Sequence, residues 1–225
     1  MAMVINSNLG AVNATRLLDQ SGRDMATSME RLTSGLRINS AADDAAGLAV
    51  GTEMTKQIMG TDMAVRNAND GISLIQTIDG AVEEVSNMLQ RQRELSVQSL
   101  SGTYTDDNRT QMDAEFSELT SEIARVANTT KFNDQALLDG SNATFDIHVG
   151  YEDTANDSIT VTTTNITGLT SGAAGIATAA DAATELAAID VDITTLNSAR
   201  ATWGGTQNRL ESTASNLQNI SENTQ

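Results

Sequence analysis

Apolar positions recur three and four residues apart over most of this chain, the spacing that lines one face of an α-helix. Between residues 18 and 36 they stand at Leu18, Met25, Met29, Leu32 and Leu36, a single narrow stripe suited to one partner helix. Gly10, Gly22 and Gly35 interrupt that segment, each costing about 0.5–1 kcal/mol relative to Ala. A helix with so thin a stripe is marginal alone, so residues 1–38 are expected to be poorly ordered until a partner arrives. A break follows at Arg37 to Ser40, where Ser40 can cap a new helix with Asp43 and Asp44 in its first turn, carboxylates at the positive end of the dipole. That helix should reach about Met63. The strongest signal spans residues 69–99, with Ile72, Ile75, Ile78, Val82, Val85 and Leu89 on one face. Ser101, Gly102 and Thr103 end it. Thr105, Asp106 or Asp107 can cap the next helix, whose Met112, Phe116, Leu119, Ile123 and Val126 keep heptad spacing.

From residue 128 to about 178 the chain turns to Thr, Asn, Asp and Gly and helical periodicity disappears. Phe145, Ile147 and Val149 alternate with smaller or polar residues, as do Ile159 and Val161 after the turn-forming stretch 153–157, which predicts a β-hairpin. Helix resumes near Ala179. Ile189, Leu196, Trp203, Leu210 and Leu217 then follow at intervals of seven, a coiled-coil repeat that Gly204 and Gly205 weaken in its middle. The expected fold is mainly α, an elongated antiparallel helical bundle or coiled-coil rod with a small β-hairpin region. Its expected segments are 1–40, 41–140, the variable hairpin segment 141–178, and a returning helix over 179–225. Seam candidates are Ile75, Val82, Leu89, Phe116, Ile123, Leu196, Trp203 and Leu210.

Composition narrows the function. Aromatic residues make up only 3% of the chain against 39% hydrophobic, so the core must be built from Leu, Ile, Val, Met and Ala. Proline is absent, which suits uninterrupted helices, and cysteine is absent, which excludes disulfides and thiolate metal sites. A formal charge of -17 argues against nucleic acid and anionic membranes as partners. No apolar run approaches the roughly 20 residues of a membrane span. The start, Met1-Ala2-Met3-Val4-Ile5-Asn6, lacks the basic and apolar regions of a secretory signal. His148 is a lone strand histidine and reads as structural. The adjacent carboxylates of Asp43 and Asp44 read as helix-dipole partners rather than a cation site, and Trp203, inside the seven-residue series, as core. Arg91 and Arg93 read by default as a solvated face with minor ion pairs. Phosphate loops, a nucleotide fingerprint and a triad pattern are missing, so neither catalysis nor a cofactor is expected.

The run Thr33-Ser34-Gly35-Leu36-Arg37-Ile38-Asn39-Ser40-Ala41-Ala42-Asp43-Asp44-Ala45-Ala46-Gly47-Leu48 closely resembles the N-terminal signature of bacterial flagellins. The similarity continues at 66–73, 89–98 and 132–140, and resumes at 196–201 and 207–212. The resemblance implies an inner helical domain made by the chain termini, a helical rod with a β-hairpin, and outer domains for which the middle is too short here. It implies a homopolymeric extracellular filament for motility, with subunit contacts at Leu32, Leu36, Arg37, Ile38, Asn39, Asp43, Asp44 and Gly47. It also implies unfolded export through the flagellar type III apparatus on an uncleaved signal, with an export chaperone, a filament cap and junction proteins as partners. A Toll-like receptor of innate immunity is a further implied partner, at Gln90, Arg91, Glu94, Leu95 and Glu115; Gln92 stands where relatives often carry an apolar residue. Resembling proteins continue past the position of Gln225 in a helix that pairs with the N-terminal one, so a chain that truly ended there is expected to polymerise poorly. Rival readings are a hook-filament junction protein and a surface adhesin that binds through residues 141–178, a stretch whose Thr and Asn could also carry O-linked glycans.

Overall fold

The structure is a computed structural model that describes residues 8–154, 156–169, 171 and 174–225; the opening hexapeptide read above for a signal lies outside the described residues. Among the described residues are four helices, α1 (Leu9–Ser34), α2 (Ala45–Leu100), α3 (Asp106–Thr129) and α4 (Ala179–Thr224). Two antiparallel strand pairs join them, β1 (Lys131–Phe132) with β2 (Gln135–Ala136) and β3 (Thr144–His148) with β4 (Ser158–Thr162). The chain forms two compact units, Met1–Lys56 and Gln57–Gln225.

In the first unit α1 is helical throughout its length, where little order was expected. Its termini explain how: the Asn8 side chain accepts from the N–H groups of Gly10 and Ala11, and Gly35 closes the far end at φ 71°, donating to the Arg31 carbonyl. No residue of α1 is buried. The following turn departs from expectation. Ser40 does not cap α2; Asp44 does, its carboxylate accepting from Gly47 N–H at 2.9 Å. Asp43 lies outside the helix and instead accepts from the N–H groups of Asn39 and Ser40 and from the Ser40 hydroxyl. A carboxylate accepts more bonds than a hydroxyl, which explains why the Asp pair, not Ser40, organises this turn.

α2 runs unbroken from Ala45 to Leu100, so the two helices expected around Met63 and Asn69 are one. Nothing between those positions breaks a helix. From residue 61 a buried stripe keeps an alternation of three and four, Thr61, Ala64, Ala68, Gly71, Ile75, Ile78, Val82, Val85, Leu89, Gln92, Ser96 and Ser99, with Leu74 and Leu95 buried beside it. Thr105 caps α3 through Asn108 N–H, and Thr178 caps α4 through Asp181 N–H. Polar ties fix the directions. Asp62, Asp79 and Arg93 of α2 meet Ser221, Arg200 and Asp190 of α4 in that order, so the two helices are antiparallel. Arg91 and Gln92 meet Glu115 and Thr120, while the α2 end at Ser99 meets Arg109, so α3 also runs back along α2.

The β3–β4 hairpin pairs Phe145 with Val161 and Ile147 with Ile159. It rests on both long helices. Asn67 donates to the His148 carbonyl at 3.0 Å, and the Trp203 indole N–H donates to the Thr162 carbonyl at 2.6 Å. Gly71 makes room for the hairpin, since a β-carbon there would lie 3.0 Å from an Ile147 methylene. His148 is exposed on the outer face of β3. The smaller β1–β2 pair, absent from the sequence expectations, turns at Asn133 and Asp134 with φ of 48° and 61°, the left-handed values that Asn and Asp tolerate best among side-chain-bearing residues.

Candidate functional site

The candidate features divide into a buried seam, a charged surface over it and an exposed turn. Ile75, Val82, Leu89, Phe116, Ile123, Leu196, Trp203 and Leu210 all belong to one core cluster, none more than 6% exposed. In α4 the series of seven begins one step earlier than the sequence suggested, at Ala182. The positions three residues on from Ala182 and Ile189 are polar yet buried: Glu185 accepts from Ala174 N–H, and Asp192 from Ser171 N–H. Buried carboxylates need such donors. They lash the segment before α4 onto the seam.

Over the seam, α2 and α3 bring Arg91, Glu94 and Glu115 together. Arg91 Nε donates to Glu115 at 2.9 Å and Nη1 to Glu94 at 3.0 Å. Glu115, then Glu94, hold the guanidinium above its ordinary range. Gln90 is exposed beside them. Leu95 stands apart: it is 2% exposed and part of the core, so in this conformation it supports the surface from beneath. Arg93 points to the other neighbour, donating to Asp190 of α4 at 2.7 Å, and is likewise raised by it. Arg200 makes a two-pronged contact with Asp79, which adds orientation to charge attraction.

Two polar residues were not picked out as structural ties from sequence. Gln92 is buried, its amide N–H donating to Thr120 Oγ1 at 2.8 Å and to the Phe116 carbonyl at 3.3 Å. Arg109 is 7% exposed and donates to the carbonyls of Ser99, Ser101 and Tyr104. It thereby finishes the C-terminal end of α2, whose last carbonyls have no helical donor. An isolated Arg in a polar cap sequence gives no signal of this role.

In the first unit, Leu36, Arg37, Ile38, Gly47 and Leu48 line an open hollow of 410 Å³. Asn39 and Asp43 are hydrogen-bonded in the turn, while Leu32 lies on the exposed face of α1. Hydrogen bonds from Asn39, then Ser40, hold the Asp43 carboxyl below its usual range.

A long seam of antiparallel helices, tied by ion pairs along its outside, defines a structural protein that works by packing. The model of the bacterial flagellin N-terminal helical region matches residues 5–143. The flagellin of Halalkalibacterium halodurans is 42% identical over 225 residues, covering 99% of this chain and 83% of its own length. The chain belongs to the bacterial flagellin family, whose members are structural subunits of the extracellular flagellar filament rather than enzymes. The Listeria innocua flagellin is 37% identical, covering 97% of this chain and 82% of its own length. Larger relatives are matched only in part: the chain spans 31% of the B-type flagellin of Pseudomonas aeruginosa, at 45% identity over 150 residues. Among solved structures, Bacillus cereus flagellin aligns with a TM-score of 0.61 at 30% identity, covering 68% of this chain and 88% of its own. A putative flagellar hook-associated protein from Vibrio parahaemolyticus aligns at 0.67 over 82% of this chain and 99% of its own. At 16% identity that likeness shows the fold alone. No helix among the described residues is long and apolar enough to cross a membrane.

Proposed function

We propose that this chain polymerises with copies of itself into the filament that drives motility, and that it does so through the unpartnered face of α1 and the turn after it. The observation that carries this reading is the stripe Leu18, Met25, Met29 and Leu32, every member more than half exposed. Exposed apolar surface on this scale marks an interaction face. Leu32, Leu36, Arg37, Ile38, Asn39, Asp43, Asp44 and Gly47 form the contact region. Export through the flagellar apparatus with a chaperone, on an uncleaved signal, and assembly beneath a cap and beyond junction proteins complete the reading. The protein purified at the full length its cells make should form filaments visible by electron microscopy, and Leu18→Asp/Leu32→Asp in it should abolish them without lowering the monomer's melting temperature. Filaments of normal length from that variant would overturn the reading. A junction protein, the alternative role, would appear at one end of filaments rather than along them.

The Arg91 cluster supports a second activity, in which the monomer is a ligand of a Toll-like receptor. Arg91, Glu94, Glu115 and Gln90 supply its polar contacts, with Leu95 as their support. An arginine centred in such a patch is a common hot spot, and its truncation costs more than about 2 kcal/mol of binding. Arg91→Ala should therefore weaken receptor signalling at least about thirtyfold while leaving the fold intact. Unchanged signalling would remove the site.

A further inference from the structure

Of the nine methionines of the chain, the seven among the described residues fall into two environments. Met88 and Met112 are partly buried and pack against the core of the second unit. Met25, Met29, Met54, Met59 and Met63 are between 47% and 65% exposed. Two pairs are spaced by four on one helix face: Met25 with Met29 on α1, and Met59 with Met63 on α2. On α1 the pair lies inside the stripe, between Leu18 and Leu32. Met63 also receives a long contact from Arg66 Nη1, at 3.8 Å from its sulfur, and remains half exposed.

We propose that these five exposed thioethers are sites of reversible oxidation, and that peroxide-class oxidants weaken the chain's self-association by converting them to sulfoxides. The thioether sulfur attacks one peroxide oxygen, the O–O bond breaks, and the departing hydroxide takes a proton and leaves as water. Sulfur is oxidised by two electrons and the peroxide is reduced. A sulfoxide reductase using a dithiol reverses the step, yielding methionine, a disulfide and water. Exposure governs which methionines react, so the five should react while Met88 and Met112 are shielded by their packing. The product oxygen is a strong hydrogen-bond acceptor, and burying it without a donor is unfavourable. Oxidation at Met25 and Met29 therefore places a hydrated group in the middle of an apolar stripe. Absence of cysteine leaves methionine as the readily oxidised sulfur of this chain.

The effect on self-association rests on the polymerisation reading above; the selectivity of oxidation does not. The test treats the full chain with limiting hydrogen peroxide and maps its peptides by mass spectrometry. The five exposed methionines should oxidise at least about tenfold faster than Met88 and Met112, and equal rates would overturn the site assignment. Polymerisation is then followed by sedimentation. The oxidised chain should need several-fold more protein to form sedimentable polymer, and reductase treatment should restore it. A variant with leucine at all five positions should polymerise equally well with and without peroxide, provided its circular dichroism matches the parent. Met88→Leu/Met112→Leu should remain peroxide-sensitive. Equal polymerisation of oxidised and untreated parent would overturn the proposed effect. Failure of the untreated chain to polymerise would instead count against the polymerisation reading and take the effect on self-association with it, while the peptide map still decides selectivity.

Discussion

α1 and α2 carry the same kind of apolar spacing, yet one is bare and the other is core. The α1 stripe buries nothing, whereas α2 keeps an uninterrupted buried alternation from Thr61 to Ser99 against α3, α4 and the β3–β4 hairpin. The difference lies in the partners. Periodicity specifies a helix and the face it offers; burial needs a second surface, which α2 finds in α3, α4 and the β3–β4 hairpin. Helix propensity and caps suffice to shape α1, but tertiary packing supplies most helical stability.

Substitutions at matched positions can break this comparison. Leu89→Ala removes a fully buried side chain and should cost about 2–5 kcal/mol in urea denaturation. Arg109→Ala strips the donor from three carbonyls at the α2–α3 corner and should cost about 2–4 kcal/mol, with Arg109→Lys recovering only part. Gly71→Val drives a side chain into Ile147 and Leu210, and should cost about 1–3 kcal/mol. Smaller still is the effect of acid on the turn of the first unit. Asp43 is held below its ordinary value of 3.8, so its contribution is complete above the usual carboxylate range and disappears as pH falls below 3.8 through the depressed value. The Asn39 and Ser40 amide shifts should titrate in that window in the parent and not in Asp43→Asn. Smallest is Leu32→Ala, on the bare stripe, which should leave monomer stability within about 0.5 kcal/mol.

Much of the fold was legible because its centre is written in large apolar residues: Ile75, Val82 and Leu89 face inward as their spacing implied, and the interval of seven in α4 survives Gly204 and Gly205. The ends of the α2 seam were not legible. Ala64, Ala68 and Gly71 are buried because they are small enough for close approach, and Gln92, Ser96 and Ser99 because they find donors or acceptors. Hydropathy does not mark either kind. Glu185 and Asp192 look like surface residues until the preceding segment offers them N–H groups. Arg91 and Glu115 lie 24 residues apart, and local spacing cannot pair them; family resemblance proposed both, and the antiparallel return of α3 brings them into contact. At the turn before α2, the sequence offered Ser40 as the cap with two aspartates in the first turn, and only geometry shows that Asp44 caps while Asp43 ties the turn.

The contrast between the bare helix and the packed one is tested most directly by residue-resolved hydrogen exchange on the monomeric full chain. Amides of α2 between residues 61 and 99, and of α4, should exchange only through global unfolding, while those of α1 exchange through local opening at far lower free energy. Protection in α1 equal to that in α2 would contradict the claim that its stripe is bare in the monomer.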